Sequence, residues 1–155
     1  MKLVLLAVGK LAHGPETTLC DAYLQRAAAT GRQIGGVSVE AQVVDARRRG
    51  VEGEADALLD VVSHDAALIA CDERGEALSS RALADLLARH RDSGLRRLIF
   101  AIGGADGLSD RVRGRAERLL AFGPQTWPHA LARVMLHEQV YRALSILAGS
   151  PYHRD

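Results

Sequence analysis

The residues best suited to chemistry lie in the last third of the chain. A glycine pair, Gly103-Gly104, follows a predicted strand, and a proline-histidine junction, Pro128-His129, begins a predicted helix. Glycines let a backbone approach a ligand without a Cβ in the way, and the charge of histidine changes near neutral pH. These residues indicate a ligand-binding crevice with a proton-handling group beside it.

The helix after the junction carries further polar candidates. His129 either acts as a base, because the positive end of a helix dipole favours a neutral imidazole, or packs the helix start. Arg133, one turn later, is suited to hold a phosphate or a developing anion. Glu138 and Arg142 lie four positions apart with the acid first, the favourable orientation for a helix pair. That pair either stabilises the helix or orients substrate and catalytic groups.

The C-terminal segment ends on Pro151-Tyr152-His153-Arg154-Asp155. Chain ends normally fray. A tail that closes on an aromatic ring, an imidazole and a guanidinium is instead expected to enter a site. Tyr152, His153 and Arg154 therefore join the candidate catalytic residues.

Apolar runs and helical periodicity alternate along the chain, which predicts an α/β protein with a mostly parallel sheet. Predicted strands cover residues 2–8, 36–44, 66–71 and 96–102, with a short extended piece at 122–127. Predicted helices cover residues 16–30, 54–62, 80–91, 110–120 and 128–148, and a polar turn covers 47–50. Gly31 is expected to end the first helix. The alternating pattern of 36–44 indicates a strand near a sheet edge.

Three loops leave predicted strands at their carboxyl ends, where open parallel sheets bind ligands. They cover residues 71–75, 103–107 and 123–128. The glycine pair belongs to neither the dinucleotide fingerprint nor a P-loop, so phosphate-anchoring motifs are missing. A nucleoside held by backbone groups fits better. Trp127 either stacks on such a ligand or fills core.

The final predicted helix is apolar nearly all round, which is typical of a helix buried on both sides. We expect a second copy of the chain, related by a two-fold axis, to provide the second cover. A central helix within a monomer is the alternative. On the helix predicted before it, Arg111, Arg115 and Arg118 share one face, which either tracks phosphates or is an ordinary solvated face.

Composition sets outer limits. The 155 residues predict one domain spanning 1–155, and a formal net charge of +1 does not indicate a nucleic-acid coat. Cys20 and Cys71 fit neither a disulfide framework nor a zinc site, which predicts a reducing cytosol and no metal. The first apolar run is too short for a signal peptide or a membrane span, so a soluble cytoplasmic protein is expected.

Taken together, these residues resemble the RlmH family, small SPOUT-class methyltransferases of the bacterial large ribosomal subunit. The resemblance covers essentially the whole chain and is faint from residue 9 to 62. It is clearest in the segments 3–9, 72–75 with 79–80, 102–109 and 128–154. It implies a mostly parallel α/β sheet flanked by helices, with a C-terminal deep trefoil knot. Knots are nearly absent from proteins, so residue patterns alone do not predict one.

The resemblance also implies a homodimer that binds S-adenosylmethionine in the knot. The implied reaction is methylation at N3 of a pseudouridine in 23S rRNA on assembled ribosomes. By position, the cofactor would contact Cys71, where relatives usually have an apolar residue, and Gly104 with Gly103 beside it. The implied knot loop consists of Gly123, Pro124, Gln125, Thr126, Trp127 and Pro128. The tail would lie near the cofactor of the partner subunit.

Methyl transfer from a sulfonium is an in-line displacement in which the protein supplies alignment and electrostatics. The acceptor nitrogen must lose its proton, and His153, His129 and Glu138 are the candidates to handle it. Arg154 or Arg133 is expected to contact a carbonyl or phosphate. The sequence does not choose among these residues.

Two alternatives remain open at the sequence level. A SPOUT enzyme acting on tRNA would share the knot, and a non-enzymatic ribosome-associated factor would share the fold without cofactor affinity. The intact glycine pair and tail disfavour the second. A nicotinamide oxidoreductase is a poor third, because the phosphate fingerprint is missing.

Overall fold

The structure is a computed structural model that describes residues 1–45 and 50–154. These residues form a five-stranded parallel sheet with the order β2-β1-β4-β3-β5. The strands are β1 (Lys2–Val8), β2 (Ser38–Val44), β3 (Ala66–Ala77), β4 (Arg97–Ile102) and β5 (Arg118–Ala121). The helices are α1 (Pro15–Gln33), α2 (Gly50–Leu59), α3 (Ser80–Asp92), α4 (Asp110–Arg115) and α5 (His129–Leu147). The α/β class and the parallel sheet are confirmed. Most of the polar turn predicted at 47–50 lies outside the described residues.

Helices cover both faces of the sheet, because neighbouring residues of each strand point to opposite sides. Leu3, Leu5 and Phe100 pack into one cluster with residues of α1, α3 and α5. Val4 and Leu6 pack into a second cluster with residues of α2 and α4. Burial on both faces explains why β1 is a continuous apolar run.

The edge position predicted for the second strand is confirmed. β2 pairs with β1 and lies at one end of the strand order. Val43, on this strand, remains 42% exposed. No residue of β2 is fully buried, as expected at an edge, but Ala41 and Val43 on the predicted apolar side are exposed.

The prediction that Gly31 ends the first helix is wrong. α1 continues to Gln33, and Gly31 is buried inside it. A Cβ at Gly31 would lie 2.7 Å from the carbonyl oxygen of Val37. Glycine is therefore required because the chain entering β2 passes directly over the helix. Gly35 and Gly36, with φ of 75° and 71°, make the turn instead.

The last part of the sheet also differs from prediction. β3 continues past Cys71 to Ala77, with a register shift between Cys71 and Glu76 where it pairs with β5. α4 ends at Arg115, and residues 118–121, predicted as helix, form β5. The segment 122–127, predicted as extended, is a loop. An apolar pair such as Leu119-Leu120 fits a helix or a strand, and only the pairing with β3 decides between them.

This change removes the arginine face predicted for α4. Arg118 lies in β5 and forms an ion pair with Glu76. Arg111 Nη1 donates to Asp56 Oδ1 at 2.7 Å. Arg115 donates to two backbone carbonyls that precede and begin β3, at 3.1 and 3.0 Å. The three guanidiniums bind other parts of this chain, so the prediction of a shared helical phosphate surface is wrong.

The last helix has the predicted bounds. α5 begins after Pro128, its N-cap, and ends before Gly149, whose φ of 65° suits a helix C-terminus. Val140 and Leu144 are buried against the sheet side, whereas Leu131 is 40% exposed. The chain itself therefore covers most of α5 and leaves Leu131 exposed near its start.

The strand order alone does not establish the path of the chain through a knot, so the trefoil knot stays a prediction. Within residues 1–45 and 50–154, no helix has the length and apolar character needed to cross a membrane.

Replacing Gly31 with alanine should lower the free energy of unfolding by about 1–3 kcal/mol, the usual cost of overpacking. Because alanine is a better helix former than glycine, the substitution should raise the free energy of unfolding only where no neighbouring atom contacts the new Cβ. Gly114→Ala is the matched control, since Gly114 is also helical and a Cβ there meets nothing within 4 Å. Urea unfolding measures both variants. Equal effects at the two positions would contradict the close contact with Val37.

Candidate active site

A cleft of about 750 Å³ opens at the carboxyl end of the sheet. The three loops singled out in the sequence meet around it. Its lining residues are 71–74 after the first part of β3, 102–108 after β4, Arg113 of α4, 120–123 and 125–129, and Ala132 of α5. We call this cavity the cleft, residues 103–107 the glycine loop and residues 123–128 the proline loop.

The glycine loop folds tightly back on itself. Gly104 and Gly107 form an antiparallel bridge, and Gly107 N donates to Gly104 O at 3.2 Å. A Cβ on Gly103 would lie 2.7 Å from the carbonyl carbon of Gly107. The structure thus shows an internal reason for this glycine, in addition to the ligand approach expected from the sequence.

An ion pair forms part of the cleft wall. Arg113 Nε donates to Asp72 Oδ2 at 2.7 Å, and the Asp72 side chain is almost fully buried. The other oxygen, Asp72 Oδ1, accepts the backbone N–H of Arg74 at 2.9 Å. Since Arg113 lies on α4 and Asp72 on β3, this pair fixes α4 against the bulged part of β3. Arg113 also binds Asp110 of its own helix at 2.8 Å.

Cys71 lines the cleft beside this pair. Burial, with a smaller contribution from the Asp72 charge, raises the pKa of the Cys71 thiol to about 12. The side chain is therefore a neutral, weakly polar group at neutral pH and is suited to apolar contact rather than to nucleophilic attack. Within the described residues, no group of three or more His, Cys, Asp or Glu side chains is placed to hold a metal ion.

The proline loop supplies the opposite wall. Gly123, Gln125, Thr126, Trp127 and Pro128 line the cleft. Pro124 lies in the same loop and does not line the cavity. The indole of Trp127 is not a core group, because the residue is 40% exposed; its Nε1 donates to the carbonyl of Phe122 at 3.3 Å.

Of the six candidate catalytic residues, one lines the cleft of its own chain. His129 is exposed at the first turn of α5 and borders the cavity. The other five candidates do not line the cleft; they are Arg133, Glu138, Tyr152, His153 and Arg154.

Arg133 points into the protein instead. Its side chain is 5% exposed, and Nη2 donates to the carbonyls of Val8 and Gly9 at 2.9 Å each. These carbonyls end β1, where no further strand residue satisfies them. The geometry gives Arg133 a structural task, fixing α5 to the end of β1, and places it away from a substrate phosphate.

Glu138 is the centre of a cluster on the outer side of α5. Its Oε1 accepts from Arg142 Nε at 2.9 Å and Nη2 at 2.5 Å, and from the hydroxyl of Tyr152 at 2.9 Å. The Arg142 guanidinium lies 4.7 Å from the centre of the Tyr152 ring, and that ring packs 4.5 Å from the Tyr141 ring. We call these four residues the tail cluster. The expected helix pair of Glu138 and Arg142 is present and also anchors the tail.

The end of the tail lies beside this cluster. His153 Nδ1 is 3.4 Å from Arg142 Nη1, and Arg154 is exposed. The tail is thus ordered against α5 of its own chain and does not reach the cleft of that chain.

A second cavity of about 500 Å³ adjoins the cleft. The two cavities share residues 120–123. Side chains of α1, α3 and α5 contribute to its lining, among them Leu19, Tyr23 and Met135, and Glu138 also lines it. We call this second cavity the groove.

Two wall residues were missed by the sequence reasoning. Arg113 was not among the candidate residues, and Asp72 was assigned to the predicted loop 71–75 without a role of its own. Their signal is weak, because 41 residues separate the partners. Glu54, which accepts a hydrogen bond from Gly104 N at 3.2 Å, was missed for the same reason.

These features define a class of protein: a parallel α/β protein with a cleft of small-molecule size at the carboxyl end of its strands. A family model described as Predicted SPOUT methyltransferase matches residues 1–153. The chain is 57% identical over full length to a protein of Phenylobacterium zucineum named Ribosomal RNA large subunit methyltransferase H. Proteins of the same name in Caulobacter sp. and Caulobacter vibrioides are 54% and 52% identical, covering all of this chain and at least 99% of theirs.

The chain therefore belongs to the SPOUT methyltransferase family and, within it, to the RlmH family. Among solved structures, that of a probable methylase family protein from Haemophilus influenzae aligns with a TM-score of 0.48 at 13% identity. That alignment covers 99% of this chain and 70% of the other.

The tail cluster makes a pH prediction. Burial first, and then the hydrogen bond to Glu138, raise the pKa of Tyr152 above its usual value near 10. Folding favours the neutral phenol, so its contribution to stability is complete below pH ~10 and is lost as the pH rises further. Of the three tyrosines, Tyr152 should ionise last in an alkaline titration followed by tyrosinate absorbance. Tyr152→Phe should remove that last phase, and a variant that keeps it would contradict the cluster.

Proposed function

We propose that this protein transfers a methyl group from S-adenosylmethionine to N3 of a pseudouridine in the 23S rRNA of assembled ribosomes. The observation that carries the proposal is the cleft formed by the bulged part of β3 and two loops at the carboxyl end of the sheet. The chain is matched along its full length by proteins named large-subunit rRNA methyltransferases. On this proposal the chain is one domain and acts in the cytoplasm, where ribosomes are found.

The residues present fit the cofactor. A volume of about 750 Å³ lies in the range of small-molecule sites. The cleft offers backbone groups of the glycine and proline loops, an exposed indole at Trp127 and a neutral thiol at Cys71. Gly103, Gly104 and the proline loop would hold the nucleoside, with Trp127 stacked on a ring. The bound cofactor supplies an electrophilic methyl group.

The chain must then orient the acceptor and accommodate its proton. His129 is the candidate base within the cleft of the same chain. Glu138 is a weaker candidate, because its Oε1 already accepts from Arg142 and Tyr152. His153 and Arg154 contribute only if a second chain brings its tail to the cleft. Arg154 would then bind a carbonyl or a phosphate.

A homodimer meets that requirement. The groove joins the cleft through residues 120–123 and is bordered by Glu138 of the tail cluster. Leu19, which lines the groove, is 45% exposed, and Leu131 of α5 is 40% exposed. A second copy that covered the groove would bury this apolar surface and bring each tail toward the other chain. A two-fold arrangement does this for both copies at once.

Assembled ribosomes suit this chain better than free RNA. The formal net charge is only +1, and several arginines near the cleft are paired with carboxylates. Non-specific affinity for nucleic acid depends on unpaired cations that neutralise phosphates. Because these arginines are paired, they contribute less to such binding, which favours recognition of the shape of a folded target.

The test is transfer of labelled methyl groups from S-adenosylmethionine to ribosomes that lack the modification, with free 23S rRNA and tRNA in parallel. Label on ribosomes, mapped to N3 of a pseudouridine, is the expected result. Label on tRNA alone would reassign the substrate. Cofactor binding without any transfer would point to a missing partner or a different acceptor, whereas a protein that binds no cofactor would favour the non-enzymatic role.

Arg154→Ala should lower the rate of methyl transfer at saturating cofactor by about 10-fold or more, the effect of losing one charge-stabilising group. Cofactor affinity and unfolding should change little, because Arg154 is exposed. Arg89→Ala, at an exposed position of α3, is the matched control and should retain full activity. A variant whose main defect is cofactor affinity would contradict the proposed role of Arg154.

A further inference from the structure

A buried carboxylate lies behind the glycine loop. Glu54 is on α2, and its residue is only 8% exposed. Ala55 and Leu58 of the same helix pack into the core cluster on that face of the sheet. Burying a carboxylate is costly unless hydrogen bonds compensate, so the position of this side chain needs an explanation.

The carboxylate binds the loop directly. Glu54 Oε2 accepts the backbone N–H of Gly104 at 3.2 Å. A Cβ on Gly104 would lie 2.7 and 2.8 Å from the two carboxylate oxygens. The space that a side chain would need at position 104 is therefore occupied by Glu54.

The loop is held from two directions. Glu54 fixes the N–H of Gly104, and Gly104 O accepts from Gly107 N at 3.2 Å. The glycine loop lines the cleft, whereas Glu54 does not. A change at Glu54 consequently acts on the cleft only through the backbone of the loop.

We propose that Glu54 is a positioning residue for cofactor binding, which holds Gly104 in the backbone conformation that forms one wall of the cleft. A side chain at position 104 would then displace the carboxylate and break its hydrogen bond to the loop. This inference rests on the proposed function, since it concerns the S-adenosylmethionine site. It assigns a role to a residue that does not touch the ligand.

The test is a double-mutant cycle on the full-length protein, with the Kd for S-adenosylmethionine measured by calorimetry. Gly104→Ala should weaken binding at least 10-fold, because the new Cβ and the carboxylate cannot both keep their positions. Glu54→Ala should weaken it about 3- to 10-fold, the effect of losing one hydrogen bond that orders the loop. The double variant should bind more tightly than Gly104→Ala alone, since removing the carboxylate makes room for the Cβ.

Two further variants test whether the effect of Glu54 on the Kd comes from its hydrogen bond to Gly104, from its charge or from a general disturbance of α2. Glu54→Gln keeps an oxygen that accepts the Gly104 N–H, and its Kd should stay within about 3-fold of wild type. Glu52→Ala removes an exposed acid of the same helix that pairs with Arg111, and it should leave the Kd unchanged. Thermal unfolding without ligand should show the same rescue of Gly104→Ala by Glu54→Ala.

The outcomes are distinguishable. If the losses of binding free energy in the two single variants simply add in the double variant, the inference is overturned. The effect of a side chain at position 104 would then come from contact with the ligand and not from contact with Glu54. A Glu54→Gln variant as weak as Glu54→Ala would overturn it as well. Wild-type protein that binds no S-adenosylmethionine would instead reject the proposed function, while the ligand-free unfolding data would still show whether Glu54 and Gly104 are coupled.

Discussion

The site depends on close contact between backbone segments at the carboxyl end of the sheet. At Gly75, a Cβ would lie 2.6 Å from the carbonyl carbon of Leu119, where the bulge of β3 crosses β5. At Gly103, it would meet the carbonyl of Gly107. Side chains at these positions would separate β3 from β5 and open the glycine loop. Both changes would enlarge or distort the cleft, so the shape of the site follows from the absence of these side chains.

α5 connects this site to the rest of the molecule. Its first turn places His129 at the cleft, and its second anchors the helix to the end of β1 through Arg133. Farther along, Glu138 and Arg142 hold the tail through Tyr152. A guanidinium that satisfies two buried carbonyls is costly to remove, because both acceptors would be left without partners. One rigid helix thus fixes the distance between the cleft and the tail cluster.

The sequence predicted best the elements whose signals are local. β1 is a continuous apolar run, α3 begins after the N-cap Ser79, and α5 begins after Pro128. The ends of these three elements agree with prediction within a few residues. β5 was missed, because Leu119-Leu120 fits a helix as well as a strand and its pairing partner lies in β3. The helical face assigned to Arg118 was wrong for the same reason. Local periodicity does not report contacts between distant segments.

The candidate site shows the same division between local and distant information. The three loops follow from strand ends and glycine positions, and they do meet at one cleft. The sequence explains Gly104 by a ligand, whereas the structure places Glu54, 50 residues away, in the space of its side chain. Likewise, the sequence predicts that Arg133 contacts an anion, whereas in the structure its side chain binds the end of β1. The tail also differs from its prediction. Its polar residues predict a position in the site, yet Tyr152 and His153 lie against α5 of the same chain. On the proposed function, these residues take part in methyl transfer only if a second chain brings its cleft to them, and the groove beside Glu138 is the surface on which that chain would pack.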